Sequence, residues 1–206
     1  MDVRAALFRR RSIKAFDPDH EIGEAVLREI MALALLAPSS YNLQHWRFVA
    51  VTDRGQKQRL KEAAWGQEHV GQASAVIVVC ADPRAHLQAE RCWSASSPET
   101  RARLAARIRN LYDGDERLQR DEAVRSGALV SMALMLAATE AGYDSCPLIG
   151  FEPGRVAQVV EMPGDWIAVM LVALGKRTRE PAPKPYQIPL EEVVKLQSFK
   201  GRGLGA

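Results

Sequence analysis

From Gly127 to Ala138 the chain runs through twelve residues with no charge, inside a longer helical stretch from Asp121 to Ala141. A helix that is apolar nearly all round must be covered on most of its circumference. Small residues at Gly127, Ala128, Ser131, Ala133 and Ala137 let neighbours approach closely. Gly142 stands where a left-handed residue ends a helix. The apolar run is too short, and too closely flanked by charge, to span a membrane. In a chain of 206 residues, burial on this scale is most readily completed if a second subunit covers one side.

Ala75 to Ala81 is the clearest buried strand, apolar throughout as a strand covered on both faces should be. Ile167 to Leu174, ending at Gly175, is a second such strand. Trp46 to Thr52 carries Phe48, Val49, Ala50 and Val51 as a third, and Asp144 to Ile149 is a short extended segment. Helical spacing marks Asp2 to Arg10 and Ile22 to Leu36, the latter with Val26, Ile30, Leu33 and Ala34 on one face. Pro38 stops that helix, because the residue before a proline is pushed out of the helical region. Turn chemistry at Asp17-Pro18-Asp19 and Asp53-Arg54-Gly55 separates elements, and Gln56 to Trp65 and Arg155 to Glu161 are further helices.

Residues 82 to 120 are the least regular part. Ser94 to Pro98 breaks them, and Ser97-Pro98-Glu99-Thr100 caps a helix running to Tyr112, so this stretch is expected to form two helices of a mobile excursion. The C-terminal tail, 179–206, holds four prolines between Arg179 and Pro189 and should run extended over the surface or across a partner. Leu190 to Val194 closes the chain as a strand or a helical turn. Helices and strands intermix without regular βαβ spacing, so the fold class is α+β, one domain over 1–206.

Several functions are disfavoured. The net charge is +3 and aromatics make up 6% of the chain; cations are scattered, which argues against nucleic acid. The four histidines form no ligand pair at helical spacing, and no metal is expected. Three irregularly spaced cysteines fit a reducing cytoplasm better than a disulfide framework. Met1-Asp2-Val3-Arg4 has no signal-peptide core. No Gly-x-Gly-x-x-Gly follows a strand, so a Rossmann site is not expected.

Arg9-Arg10-Arg11-Ser12-Ile13-Lys14 sets four cations and a hydroxyl within six residues. Arg offers a donor fork, Lys a point charge and Ser a neutral donor, a set suited to a phosphate. The plainer alternative is a solvated basic helix end, favoured by the helix dipole.

This segment resembles the FMN-dependent nitroreductase family, together with Ala37-Pro38-Ser39-Ser40-Tyr41-Asn42-Leu43-Gln44-His45-Trp46 and Gly142-Tyr143-Asp144-Ser145-Cys146-Pro147-Leu148-Ile149-Gly150-Phe151. The strand ending at Gly175-Lys176 and the tail Ile188-Pro189-Leu190-Glu191-Glu192-Val193 also fit, so the resemblance spans nearly the whole chain. It implies a nitroreductase-like fold: a central, mostly antiparallel sheet surrounded by helices, in an intertwined homodimer that binds FMN at the subunit interface. On that basis Arg10, Arg11, Ser12 and Lys14 hold the FMN. Arg10 and Ser12 meet its phosphate and ribityl chain, and Lys14 the pyrimidine end of the ring. Pro38, Ser39, Ser40 and Asn42 close on the flavin from the partner subunit. Pro147, Leu148, Ile149 and Gly150 pass over the ring.

Many relatives carry an Asn and a basic residue after the third helix. Here Gln67 takes that place, with His69 nearby. Where relatives carry a basic pair in the tail for the phosphate, this chain offers Lys184, or Arg177, and has Gln187 where an Arg would stand. Trp46 is expected in the core and Cys146 as a small buried packer; Arg11 is as well explained as a solvated cation, and Asn42 as bonding its own loop. The implied activity is hydride transfer from NADH or NADPH to a nitroaromatic or quinone acceptor, by a ping-pong course with no protein acid or base. Alternatives are an FMN-dependent dehydrogenase or dehalogenase acting on a specific metabolite, and a non-catalytic flavin- or nucleic-acid-binding module.

Overall fold

A computed structural model describes residues 1–205; Ala206, the last residue of the expected tail, lies outside them. Four strands form one sheet: β1 (Trp46–Val51), β2 (Ala75–Ala81), β3 (Asp144–Leu148) and β4 (Ile167–Gly175). Their order is β1-β2-β4-β3, and every adjacent pair is antiparallel. β2 is buried at every position, as its uninterrupted apolar run requires. Val76, Val78 and Cys80 face one layer and Ala75, Ile77 and Val79 the other, the two-residue alternation of a strand between two layers.

The helices are α1 (Val3–Arg9), α2 (Glu24–Ala34), α3 (Arg54–Ala63), α4 (Glu68–Gln72), α5 (Ala89–Cys92), α6 (Pro98–Tyr112), α7 (Glu116–Glu140), α8 (Pro153–Val159) and α9 (Leu190–Val193). On one side α2 and α7 enclose Ile30, Ala34, Trp46, Ile77, Val130, Leu134 and Val172. On the other, α3 and α8 cover Leu60, Val76, Val78, Cys146, Val156 and Leu171. Trp46 and Cys146 are thus core residues, 2% exposed each.

α7 starts five residues earlier than the apolar pattern suggests. Asp115 caps it, its carboxylate accepting from the Leu118 N–H at 2.8 Å, so the charged first turns are drawn into the helix. Its far end closes as expected: Gly142 has φ +77, with Tyr143 N–H donating to Ala138 O and Gly142 N–H to Thr139 O. At 25 residues the full helix meets the length and hydropathy of a membrane span, which its apolar run alone does not. Ten of its residues are nevertheless buried within the protein, as in a core helix. Gly127 makes the closest approach: a Cβ there would stand 2.8 Å from a Val169 methyl on β4. One side of α7 stays open, with Leu129 48% exposed.

The 82–120 segment contains α5, α6 and a single 3₁₀ turn over Ala85–Gln88. The expected cap is present, Ser97 Oγ accepting from the Thr100 N–H. The segment carries a small core of its own, Ala85, Ala89, Ala105, Ile108 and Tyr112, closed by Leu43 from the loop before β1.

Candidate functional site

α1 ends at Arg9, and the chain leaves the helix at Arg10 in an extended conformation (φ −59, ψ 124). It then lies along the sheet edge. Ser12 bridges Ser145 in parallel, and the Ile13 N–H donates to Ser145 O at 3.0 Å. The Asp17 and Thr178 N–H groups bond to Lys176 O and Ala15 O. Ile13 and Phe16 are each 2% exposed and anchor the segment in the core, which turns Ser12 and Lys14 outward to solvent. Gly175 permits this, since a Cβ there would come within 2.9 Å of the Phe16 ring. The backbone of the segment is therefore held past the helix end, while the side chains of Arg9, Ser12 and Lys14 remain in solvent.

Arg10, Arg11, Ser12 and Lys14 form one wall of a groove of about 1040 Å³. The opposite wall is the extended tail from Arg179 to Gln187, including Lys184. Arg11 is committed to that tail, its Nη2 donating to Ala182 O at 2.5 Å. Lys184 Nζ lies 5.8 Å from the Phe8 ring centroid. Arg177, weighed above as an alternative phosphate ligand, is consumed elsewhere. Its Nε and Nη2 grip both Asp144 oxygens at 3.0 and 2.8 Å, and its Nη1 meets Glu180 at 3.0 Å. The hydrogen bond to Asp144 raises the Arg177 pKa further. Arg177 therefore anchors the tail and leaves Arg179 and Lys184 as the tail cations lining the groove.

Gln67 and Gly150 meet directly, Gln67 Nε2 donating to Gly150 O at 2.8 Å. Trp65, with φ +56 and two-thirds exposed, closes over the same glycine; a Cβ on Gly150 would stand 2.9 Å from its ring. Pro147 is half-buried and Leu148 buried, while Ile149 is 75% exposed. His69, on α4, is 4% exposed and its Nε2 has no partner. Burial lowers the His69 pKa, and the positive charge of Lys14 lowers it further. Burial raises the Cys146 pKa, opposed by Lys14 and Arg10. The charge of Lys14 is thus felt at both α4 and β3, while Gln67 and Gly150 meet each other outside the lining of the groove.

Pro38, Ser39, Ser40 and Asn42 are not brought there. They lie on the loop before β1, which packs on the 85–112 segment. Tyr41, Asn42 and Gln44 all take positive φ (49, 54 and 48), at about 1–2 kcal/mol each for non-glycine residues. Ser39 Oγ accepts from the Gln44 N–H at 2.9 Å, and Ser40 Oγ from the Tyr112 hydroxyl at 2.7 Å. Each serine keeps its own proton to donate. The Asn42 side chain is exposed and makes no hydrogen bond among the described residues.

An extended, phosphorylated, ring-bearing ligand fits this donor set: cations and a hydroxyl along a groove, and an orphaned buried nitrogen on α4 within the field of Lys14. Sequence reasoning missed α4 itself and the Arg177 anchor. It also missed the bracing of the 39–44 loop by Trp93 and Tyr112, for which no local pattern exists.

Comparison with known proteins agrees with the geometry. The sequence profile described as "Nitroreductase family" matches residues 7–176, and the chain belongs to that family. It is 39% identical over 202 residues to protein DrgA of Synechocystis sp., covering 95% of this chain and 96% of that one. It is 30% identical over 205 residues to the oxygen-insensitive NADPH nitroreductase of Helicobacter pylori, covering 94% and 96%. Among solved structures, a protein of Exiguobacterium sibiricum in complex with FMN superposes with a TM-score of 0.88. That pair shares 31% identity, over 95% of this chain and 97% of the other.

Proposed function

We propose that the chain is an oxidoreductase that binds FMN between two copies of itself, takes hydride from NADH or NADPH, and reduces nitroaromatic or quinone acceptors. The observation that carries this reading is the division of the candidate residues. The Arg10–Lys14 array lines the groove. Ser39, Ser40 and Asn42 stand on another, strained loop, where each serine accepts a bond within its own chain yet keeps a proton to donate, and the exposed Asn42 side chain makes no hydrogen bond among the described residues. A second copy reconciles the two halves. Apolar side chains left in solvent supply its contact surface: Phe8 at 66%, Leu36 at 79%, Leu129 at 48% and Phe199 at 98% exposure.

Arg10, Ser12 and Lys184 would hold the phosphate and ribityl chain, and Arg11 would keep the tail against them. Bound FMN supplies the hydride chemistry, accepting from the nicotinamide and donating to the acceptor in turn, a ping-pong course in one cleft. Lys14 would hold the pyrimidine end of the ring and supply positive charge to it on reduction. On this reading no side chain is assigned as an acid or base; the Cys146 thiol is buried with its pKa raised. The three unpaired cysteines suit the cytoplasm as the place of action.

The test is direct. Purified protein should be yellow, dimeric by light scattering, and bleached anaerobically by a reduced nicotinamide; a nitroaromatic or quinone should restore the colour. Arg10→Ala with Lys14→Ala should weaken FMN binding about 10- to 100-fold, the scale for lost hydrogen bonds to charged groups. Colourless protein that gains no absorbance with FMN overturns the proposal.

A further inference from the structure

The loop before β1 carries strain without glycine, and side chains far away in sequence hold it. Tyr41, Asn42 and Gln44 are left-handed within four positions. Within the loop the Asn42 and Leu43 N–H groups donate to Ser39 O and Ser40 O at 3.0 and 2.9 Å, and Gln44 Nε2 to Asn42 O at 3.4 Å; five further contacts hold it. Tyr112 OH donates to Ser40 Oγ at 2.7 Å, and Trp93 Nε1 donates to Tyr41 O at 3.0 Å. Cys92 Sγ lies 3.9 Å from Leu43 O. Arg47 Nη1 donates to Gln44 O at 3.2 Å, and the Gln44 N–H to Ser39 Oγ at 2.9 Å. The first three come from the 85–112 segment, whose small core closes on Leu43. Tyr112 is itself fixed, 2% exposed and stacked 5.6 Å from His86. Unusual backbone persists where the surroundings over-determine it, and here one segment supplies every contact that reaches the loop from far away in sequence.

We propose that Trp93 and Tyr112 are positioning residues for the cofactor: they hold the 39–44 loop in the one shape that presents Ser39, Ser40 and Asn42 to the FMN of the partner copy. The inference rests on the functional reading above and adds to it. The 85–112 segment acts on the flavin through the loop, without touching the flavin itself. Ser40 accepts the Tyr112 hydrogen bond and so keeps its own hydroxyl proton for donation.

The experiment uses the full-length dimer. Tyr112→Phe keeps the ring and removes only the hydroxyl; Trp93→Phe removes only the indole N–H from the clamp. Each should weaken FMN binding about 3- to 10-fold, the effect of one lost hydrogen bond, while the melting point of the apoprotein stays near the parent's. In either background Gln44→Gly should recover at least half of the loss on a logarithmic scale, because glycine takes positive φ without penalty. A merely structural role predicts a lower melting point and no such recovery. Should Trp93→Phe not fold, Tyr112→Phe decides alone. If both variants bind FMN like the parent while Arg10→Ala binds it weakly, the clamp is overturned and the functional reading stands. If the parent takes up no FMN, the functional reading fails and the clamp fails with it.

Discussion

Arg177→Gln is the substitution whose effect can be worked furthest from the structure. It keeps part of the stem and deletes the guanidinium. Arg177 and Asp144 are 23% and 16% exposed in their side chains, so their two-pronged bond is largely withdrawn from water. Without the guanidinium, Asp144 keeps only the Arg177 backbone N–H, at 3.1 Å. Stranding a fully buried charge costs about 3–5 kcal/mol, and the residual exposure of this pair reduces that to about 2–3 kcal/mol. The Glu180 branch adds little, since its carboxylate is 86% exposed. At about 2–4 °C per kcal/mol for a chain of this size, the melting point should fall by about 4–12 °C. Asp144→Asn in the same chain should recover part of that loss, because the stranded charge is gone; a double-mutant cycle on melting curves measures the coupling. The functional consequence is separate. The tail from Arg179 to Gln187 loses its anchor, Lys184 loses its place at the groove, and FMN binding should weaken about 3- to 10-fold, the scale of one lost hydrogen bond. A variant that melts within a degree of the parent and binds FMN equally well would refute both the energy and the anchoring role.

Three further outcomes are expected. His45 and His69 both have pKa values lowered from 6.5, chiefly by burial; on unfolding they return to that value and take up protons. Their contribution to stability is therefore fully present above pH 6.5 and declines as the pH falls below it, by at most about 1.4 kcal/mol per pH unit per histidine. Melting curves of His69→Asn should show a shallower acid decline than those of the parent. Gly150→Ala should drive a Cβ to 2.9 Å from the Trp65 ring and 3.3 Å from Gln67 Nε2. The result should be a shift in tryptophan fluorescence and weaker FMN binding, and an unchanged emission spectrum would count against the packing. Burial pushes the Cys80 thiol up to about 11; in the native protein a thiol reagent at pH 8 should modify Cys92 first and leave Cys80 until unfolding, which mass spectrometry of the labelled peptides resolves.

Where one element carries its own signal, the sequence was easily read. Ala75 to Ala81 declares a buried strand by composition, Gly142 ends α7 where a left-handed residue was expected, and Ser97 caps α6. α4 escaped because five residues hold too little periodicity to distinguish it from a turn. The start of α7 escaped because its first turns are charged, and only Asp115, behind Gly114, signals the cap. Arg10, Ser12 and Lys14 could be singled out because they are neighbours in sequence and repeat a pattern shared with a family. The Arg177 anchor could not, since its partner Asp144 lies 33 residues away and their meeting depends on β3 and β4 pairing in register.

That distinction bears on how the site is built. Residues that touch a ligand tend to cluster in short runs, because one loop delivers several of them, as 10–14 and 38–42 would under the proposed function. Residues that aim those loops come from wherever the fold brings a side chain within reach: Tyr112 for Ser40, Trp93 for Tyr41, Arg177 for the tail. The 38–42 run illustrates the point sharply. Its composition marks it as a polar loop, yet within the loop nothing meets Tyr41 O or the Ser40 hydroxyl to steady the left-handed backbone of Tyr41, Asn42 and, just beyond the run, Gln44. The small core of the 85–112 segment does so, which ties the most irregular part of the sequence to the shape of one of its most recognisable motifs.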